Sequence, residues 1–118
     1  MSAATDLIVR YYDALERRDI EAVLEMTHPR VRFHDFLNGG EVDGLADARD
    51  FYRRMMFELS PDLDLIAVEE LPDGRVRADM QSSVHSPSGH LWSDTRQEAT
   101  YAMADGLILG IELRGPIR

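Results

Sequence analysis

Val31-Arg32-Phe33-His34-Asp35-Phe36 is the stretch around which the chain is organised. Its alternation reads as a short strand, with Val31, Phe33 and Asp35 on one face and Arg32, His34 and Phe36 on the other. Two apolar neighbours turn the first face toward a core. Asp35 then ends an apolar face, where a carboxylate has to find a partner or stay neutral. Two readings follow: a base looking into a pocket, or an acid solvated where the strand frays.

Upstream of this strand the period is helical. Thr5 or Asp6 can cap a helix over residues 7–18, whose Leu7, Tyr11 and Leu15 recur at i, i+4, i+8 beside Ile8 and Tyr12. Asp19 starts a second, shorter helix that buries Ile20, Val23, Leu24 and Met26, and Pro29 ends it. Downstream, Asn38-Gly39-Gly40 and Asp43-Gly44 mark a loop, and residues 45–59 return to helical spacing until Ser60-Pro61. The period then drops to 2. Strands are expected over residues 63–71, 75–85, 90–103 and 107–114. Their turns are Pro72-Asp73-Gly74, Ser86-Pro87-Ser88-Gly89 and Asp105-Gly106. Helices gathered in front of an antiparallel meander make the class α+β, as one domain over residues 1–118.

The chain has 118 residues, 44% of them hydrophobic and 30% charged, enough for a core without staples. With 13 basic against 22 acidic side chains and a net charge of −9, it lacks the basic footprint of a nucleic-acid or anionic-membrane binder. There is no cysteine, which excludes disulfides and thiolate metal sites. The start has neither a basic n-region nor a long apolar run, and no stretch matches a membrane span, so a cytoplasmic location is expected.

The segment Tyr11-Tyr12-Asp13-Ala14-Leu15-Glu16-Arg17-Arg18-Asp19-Ile20-Glu21-Ala22-Val23 carries a family resemblance, together with residues 31–36. Gly44, Phe51-Tyr52 and the Asp105-Gly106 turn add to it. Over nearly its whole length the chain resembles the nuclear-transport-factor-2-like superfamily, and within it the SnoaL-like polyketide cyclases and the ketosteroid isomerases. The resemblance implies a cone of three helices on a curved, mostly antiparallel sheet, enclosing a pocket for a small hydrophobic ligand. It implies a homodimer and no cofactor. In gapless register the isomerases' tyrosine falls on Tyr11, as donor to an enolate oxygen, and their general base falls on Asp35. Two positions depart from that pattern. Phe36 stands where isomerases have proline, and Ala99 stands near their oxyanion-holding acid, with Glu98 adjacent but on the other strand face.

The implied activity is cofactor-independent acid/base chemistry on a carbonyl-bearing steroid-, polyketide- or terpenoid-like molecule, giving isomerisation or cyclisation. A non-catalytic ligand-binding or assembly domain is the alternative, and an epoxide hydrolase or dehydratase a further one. Register along residues 91–103 separates them. If Tyr101 and Met103 face inward, Gln97 and Tyr101 are polar pocket groups; if Asp94, Arg96 and Glu98 do, they form the acid-arginine-acid arrangement of the superfamily's epoxide hydrolases. The outward set, with Trp92, would suit a subunit seam. Phe33, Phe51, Met55, Met80 and Met103 are candidate wall residues, or simply core. His34, His85 and His90 lack metal-ligand spacing, so no metal is expected, and Gly39-Gly40 lacks the context of a nucleotide loop.

Overall fold

The computed structural model describes residues 2–85 and 88–115, the side chains of Trp92 and Ser93 excepted. The first helix, α1, spans Ala3–Glu16 and starts earlier than the spacing predicts, because Ser2 and Thr5 cap each other reciprocally. Its buried stripe includes Leu7, Ile8, Tyr11, Tyr12, Ala14 and Leu15. Helix α2 covers Ile20–Glu25, with the Asp19 carboxylate accepting from the Ala22 amide at 3.1 Å.

The strand around Phe33 is shorter than expected. Strand β1 is Arg32–His34 and pairs antiparallel with β2, Glu41–Asp43, where the sequence reads as loop. Asp35 lies beyond the strand, in a turn closed by Asp35 N–H to the Gly40 carbonyl (2.9 Å) and Gly39 N–H to the Asp35 carbonyl (2.8 Å). Gly39 and Gly40 both take φ of +80°, which favours glycine.

The expected helix over 45–59 divides in two. Helix α3 runs Gly44–Arg53, and Arg54–Leu59 continues as a π-helical turn that Ser60 ends in left-handed geometry, φ +48°. Turns of this kind are rare and gather at functional sites. Then come β3 (Asp62–Glu70), β4 (Val76–His85), β5 (Leu91–Ala104) and β6 (Leu107–Arg114). They pair antiparallel in the order β3-β4-β5-β6. Register shifts at Leu65/Ala67, Val84/His85 and Ala102/Met103 let the sheet curve.

The three helices cover the curved sheet, which is not closed into a barrel. Between the layers lies a core whose fully buried side chains include Ile8, Val23, Val31, Phe51, Tyr52, Met56, Val76 and Ile108. The segment after α2 is tied to β6 by His28 N–H to the Ile108 carbonyl (2.8 Å) and Ile108 N–H to the Met26 carbonyl (2.9 Å). Among the described residues no helix is long and apolar enough to cross a membrane.

Candidate functional site

Curvature leaves a cavity of about 230 Å³ between the sheet and the helices. Helix α1 contributes Tyr11, Tyr12 and Leu15; the turn after β1 contributes Phe36 and Leu37. Phe51, Met55 and Leu59 come from α3 and the π turn. The sheet supplies Leu63, Met80, Ser82, Val84, Thr95, Gln97, Ala99, Tyr101, Ile111 and Leu113. None of these lining side chains carries a charge at neutral pH. The lining is apolar with hydroxyl groups at one end and Ser82, Thr95 and Gln97 farther along β4 and β5.

The hydroxyls belong to a cluster of four tyrosines. Tyr11 and Tyr52 share a hydrogen bond of 2.7 Å, and Tyr12 and Tyr101 one of 2.8 Å. Tyr12 also donates to Met80 Sδ at 3.5 Å. The rings meet edge to face, Tyr11 with Tyr101 at 5.3 Å and Tyr11 with Tyr12 at 5.5 Å. Burial is the main cause that pushes all four phenols above the ordinary tyrosine value. They therefore stay protonated at neutral pH and act as hydrogen-bond donors.

Register on β5 follows from these contacts. Thr95, Gln97, Ala99 and Tyr101 face the cavity, whereas Asp94 bonds Gln81 at 2.6 Å and Ser83 at 3.0 Å across β4. Asp94, Arg96 and Glu98 do not line it. Of the site residues read from the sequence, Tyr11, Phe51, Met55, Met80, Gln97 and Tyr101 line the cavity. Phe33 and Met103 do not: Phe33 packs edge to face on Phe51 at 5.1 Å and lines a separate open cleft with Arg32, His34 and Arg114, and Met103 packs against the core.

Asp35 is buried, but it is not a lining residue. Its Oδ1 accepts from the Leu37 and Asn38 amides, each at 2.9 Å, and its Oδ2 from Arg54 Nη2 at 3.0 Å. Arg54 also reaches the Asn38 side-chain oxygen, with Nε at 3.0 Å, once that amide is oriented to suit its neighbours. The carboxylate is thus neither solvated nor free: it caps its own turn and pins that turn to the π helix. The same turn directs Phe36 and Leu37 into the cavity wall. Alternation along the strand would place Phe36 opposite Phe33, but the period of 2 lapses once the chain turns at Asp35.

Sequence reasoning missed Tyr12 and Tyr52 as members of the cluster and Arg54 as the partner of Asp35. Their partners lie 89, 41 and 19 residues away, beyond any local pattern. The Asp35 turn did leave a signal, in Asn38-Gly39-Gly40 just after it. Among the described residues no three His, Asp or Glu side chains gather in a way that could hold a metal ion.

A model of the SnoaL-like domain matches residues 8–110. No curated protein matches the chain in sequence. Several solved structures share the fold. TerC, co-crystallised with polyporic acid, is 24% identical with a TM-score of 0.80, covering 96% of this chain and 91% of its own. SalBIII, an epoxide hydrolase/cyclase-like enzyme of pyran ring formation in the polyether salinomycin, is 13% identical with a TM-score of 0.80, covering 93% and 88%. RV0760c from Mycobacterium tuberculosis, in complex with estradiol-17beta-hemisuccinate, is 14% identical with a TM-score of 0.80, covering 94% and 92%.

Proposed function

The chain belongs to the SnoaL-like domain family, and from that premise and the cavity's chemistry we propose that it binds a compact, uncharged, largely apolar molecule bearing a carbonyl or phenolic oxygen. The observation that carries this is the neutral, apolar cavity ending in Tyr11, Tyr12 and Tyr101. Charged ligands would be desolvated there without a counter-charge, whereas a carbonyl oxygen would meet protonated phenols. A volume of about 230 Å³ lies below the roughly 300–1,000 Å³ common for ligand pockets and favours one or two rings. A four-ring body would need the Phe36-Leu37 turn to move. TerC, co-crystallised with polyporic acid, and the mycobacterial protein, in complex with estradiol-17beta-hemisuccinate, support the coarser part of this reading, a small organic ligand, and not its size or charge.

A second reading makes the chain an acid/base enzyme of isomerase or cyclase type, with Asp35 as general base and the phenols, Tyr11 among them, stabilising the enolate. Asp35 favours it by being buried directly before Phe36 and Leu37, two wall residues. For this role the carboxylate has to leave Arg54, since both its oxygens are engaged. Acetophenone tests both readings. Saturable binding followed by protein NMR supports the first, and no binding by it or by any one- or two-ring aryl ketone or phenol refutes it. Deuterium exchange at its methyl group in D₂O, faster with protein than with buffer and lost in Asp35→Asn, supports the second. Exchange no faster than buffer refutes it and leaves binding as the function. The homodimer implied by the resemblance is carried as part of this proposal, through the sheet face of Asp94, Arg96 and Glu98. Trp92, the other residue of that seam, has its side chain outside the described set. Light scattering checks the dimer.

A further inference from the structure

The phenols are not the only polar groups of the cavity, and they are the ones already engaged. Tyr11 has the Tyr52 hydroxyl at 2.7 Å, and Tyr12 and Tyr101 have each other at 2.8 Å. Gln97, Thr95 and Ser82 also line the cavity, and their side chains have no hydrogen-bond partner among the described residues. Their polar atoms are not enclosed, since among the described residues no fully buried side-chain nitrogen or oxygen lacks a partner. All three residues are half-buried. Their hydrogen-bonding capacity is therefore open to whatever fills the cavity.

Gln97 stands out from the other carboxamides. The chain has three, Asn38, Gln81 and Gln97. Gln81 donates to Asp94 at 2.6 Å, and Asn38 meets Arg54 beside Asp35. Only Gln97 faces the cavity, and its stem is packed: a Cβ added at Gly115 would come within 2.9 Å of Gln97 Cγ. Pairing of β4 with β5 sets Met80 opposite Gln97 and Ser82 opposite Thr95, so the three polar groups occupy two adjoining rows. Tyr101 shares the strand and inward face with Gln97, four residues on. At the strand rise their rows are about 13 Å apart, and hydrogen bonds of about 2.8 Å at both ends leave about 7 Å between two ligand oxygens. Two oxygen functions placed para across one benzene ring have that span.

We propose that Gln97, with Thr95 and Ser82 beside it, is a second polar anchor, and that it selects a single aromatic ring carrying an oxygen function at each end. One oxygen meets the phenols and the other the carboxamide. A carboxamide both donates and accepts, so it takes a hydroxyl or a carbonyl alike. A ligand that is apolar at that end strips water from three polar groups and returns no hydrogen bond, and the site discriminates against it. This assignment deepens the ligand reading above and rests on it.

NMR titrations of the full protein with para-hydroxyacetophenone and para-methylacetophenone, which match in shape, test the proposal. The hydroxy ketone is expected to bind about tenfold tighter. It should shift the Gln97 side-chain amide signals and leave those of Gln81 in place, and the methyl ketone should move neither. In Gln97→Met the advantage should fall below threefold, with affinity for the methyl ketone held within threefold. Equal binding of the two ketones by the wild type, or an advantage that survives Gln97→Met, overturns the inference and leaves the ligand reading standing. Should Gln97→Met fail to fold, the wild-type amide signals decide: a shift with the hydroxy ketone alone supports the anchor, and any other pattern overturns it. If neither ketone binds, the inference is overturned, and the wider set of aryl ketones and phenols then decides the ligand reading.

Discussion

All 13 basic residues of the chain are arginine, there is no cysteine, and all four tyrosines sit in the buried cluster. Between about pH 9 and 12 the tyrosines are then the only side chains that titrate. Their folded-state values are raised above the unfolded value of about 10, so their stabilising contribution is fully present below pH 10 and is lost as pH rises toward the folded values. With the folded phenols still protonated, each group lowers stability by about 0.4 kcal/mol at pH 10 and about 1.4 at pH 11. Four together remove about 1.6 and then about 5.6 kcal/mol. A domain of this size holds roughly 5–15 kcal/mol in all, so unfolding is expected between about pH 11 and 12. The assay is tyrosinate absorbance at 295 nm beside far-ultraviolet circular dichroism. Absorbance should stay flat through pH 10, where free tyrosine is half ionised, then rise in one step with the loss of helix and sheet signal. Urea midpoints measured from pH 9 to 11 should fall along a steepening curve that fits four phenols of unfolded value about 10, and three in Tyr52→Phe. A gradual rise centred on pH 10 with intact dichroism would refute the buried, hydrogen-bonded arrangement of the phenols.

Three further perturbations test how the cavity is built. Arg54→Met removes the charge-assisted bond to Asp35; such a bond is worth about 1.5–3 kcal/mol, discounted because the arginine side chain is 35% exposed, so a loss of about 1–2 kcal/mol is expected in urea unfolding. Arg49→Met, which breaks an exposed pair with Glu21, serves as the control and should leave the midpoint unchanged. Phe51→Ala removes a fully buried ring packed edge to face on Phe33, Phe36 and Tyr52, and should cost about 3–5 kcal/mol in the same assay. Gly110→Val sets a side chain 3.1 Å from the Arg32 carbonyl, where β1 crosses β6; a loss of about 1–3 kcal/mol, with faster amide exchange in β1, is expected.

The helix-then-meander order was legible because it rests on local signals. Leu7, Tyr11 and Leu15 carry the 3.6 period, and Pro72-Asp73-Gly74 and Asp105-Gly106 turn the strands. Strand β2 escaped because three residues, Glu41–Asp43, are too few for alternation to register. The π turn escaped because Met55, Met56 and Leu59 fit ordinary helical spacing, and the change of period comes from how Arg54–Leu59 closes on Ser60. The phenol cluster joins residues from two helices and a strand, and only tertiary structure brings their hydroxyls together in pairs.

Asp35 shows where residue-type reasoning forks. A carboxylate at the end of an apolar face needs a resolution, and the physics offers neutrality or a partner. The sequence pointed to the first through the family's base; the fold supplies the second, with Arg54 and two backbone amides as its partners. The two roles are not equivalent for the cavity. As a paired group Asp35 fixes the turn that sets Phe36 and Leu37 in the wall, and the cavity's own chemistry is then that of neutral phenols alone. As a base it would have to give up the contact that shapes that wall, so each turnover would couple proton abstraction to movement of the Phe36-Leu37 turn. Arg54→Met separates the cases: it frees the carboxylate, so faster α-proton exchange of acetophenone would mark Asp35 as a restrained base, whereas weaker binding with no exchange would mark it as part of the wall's scaffold.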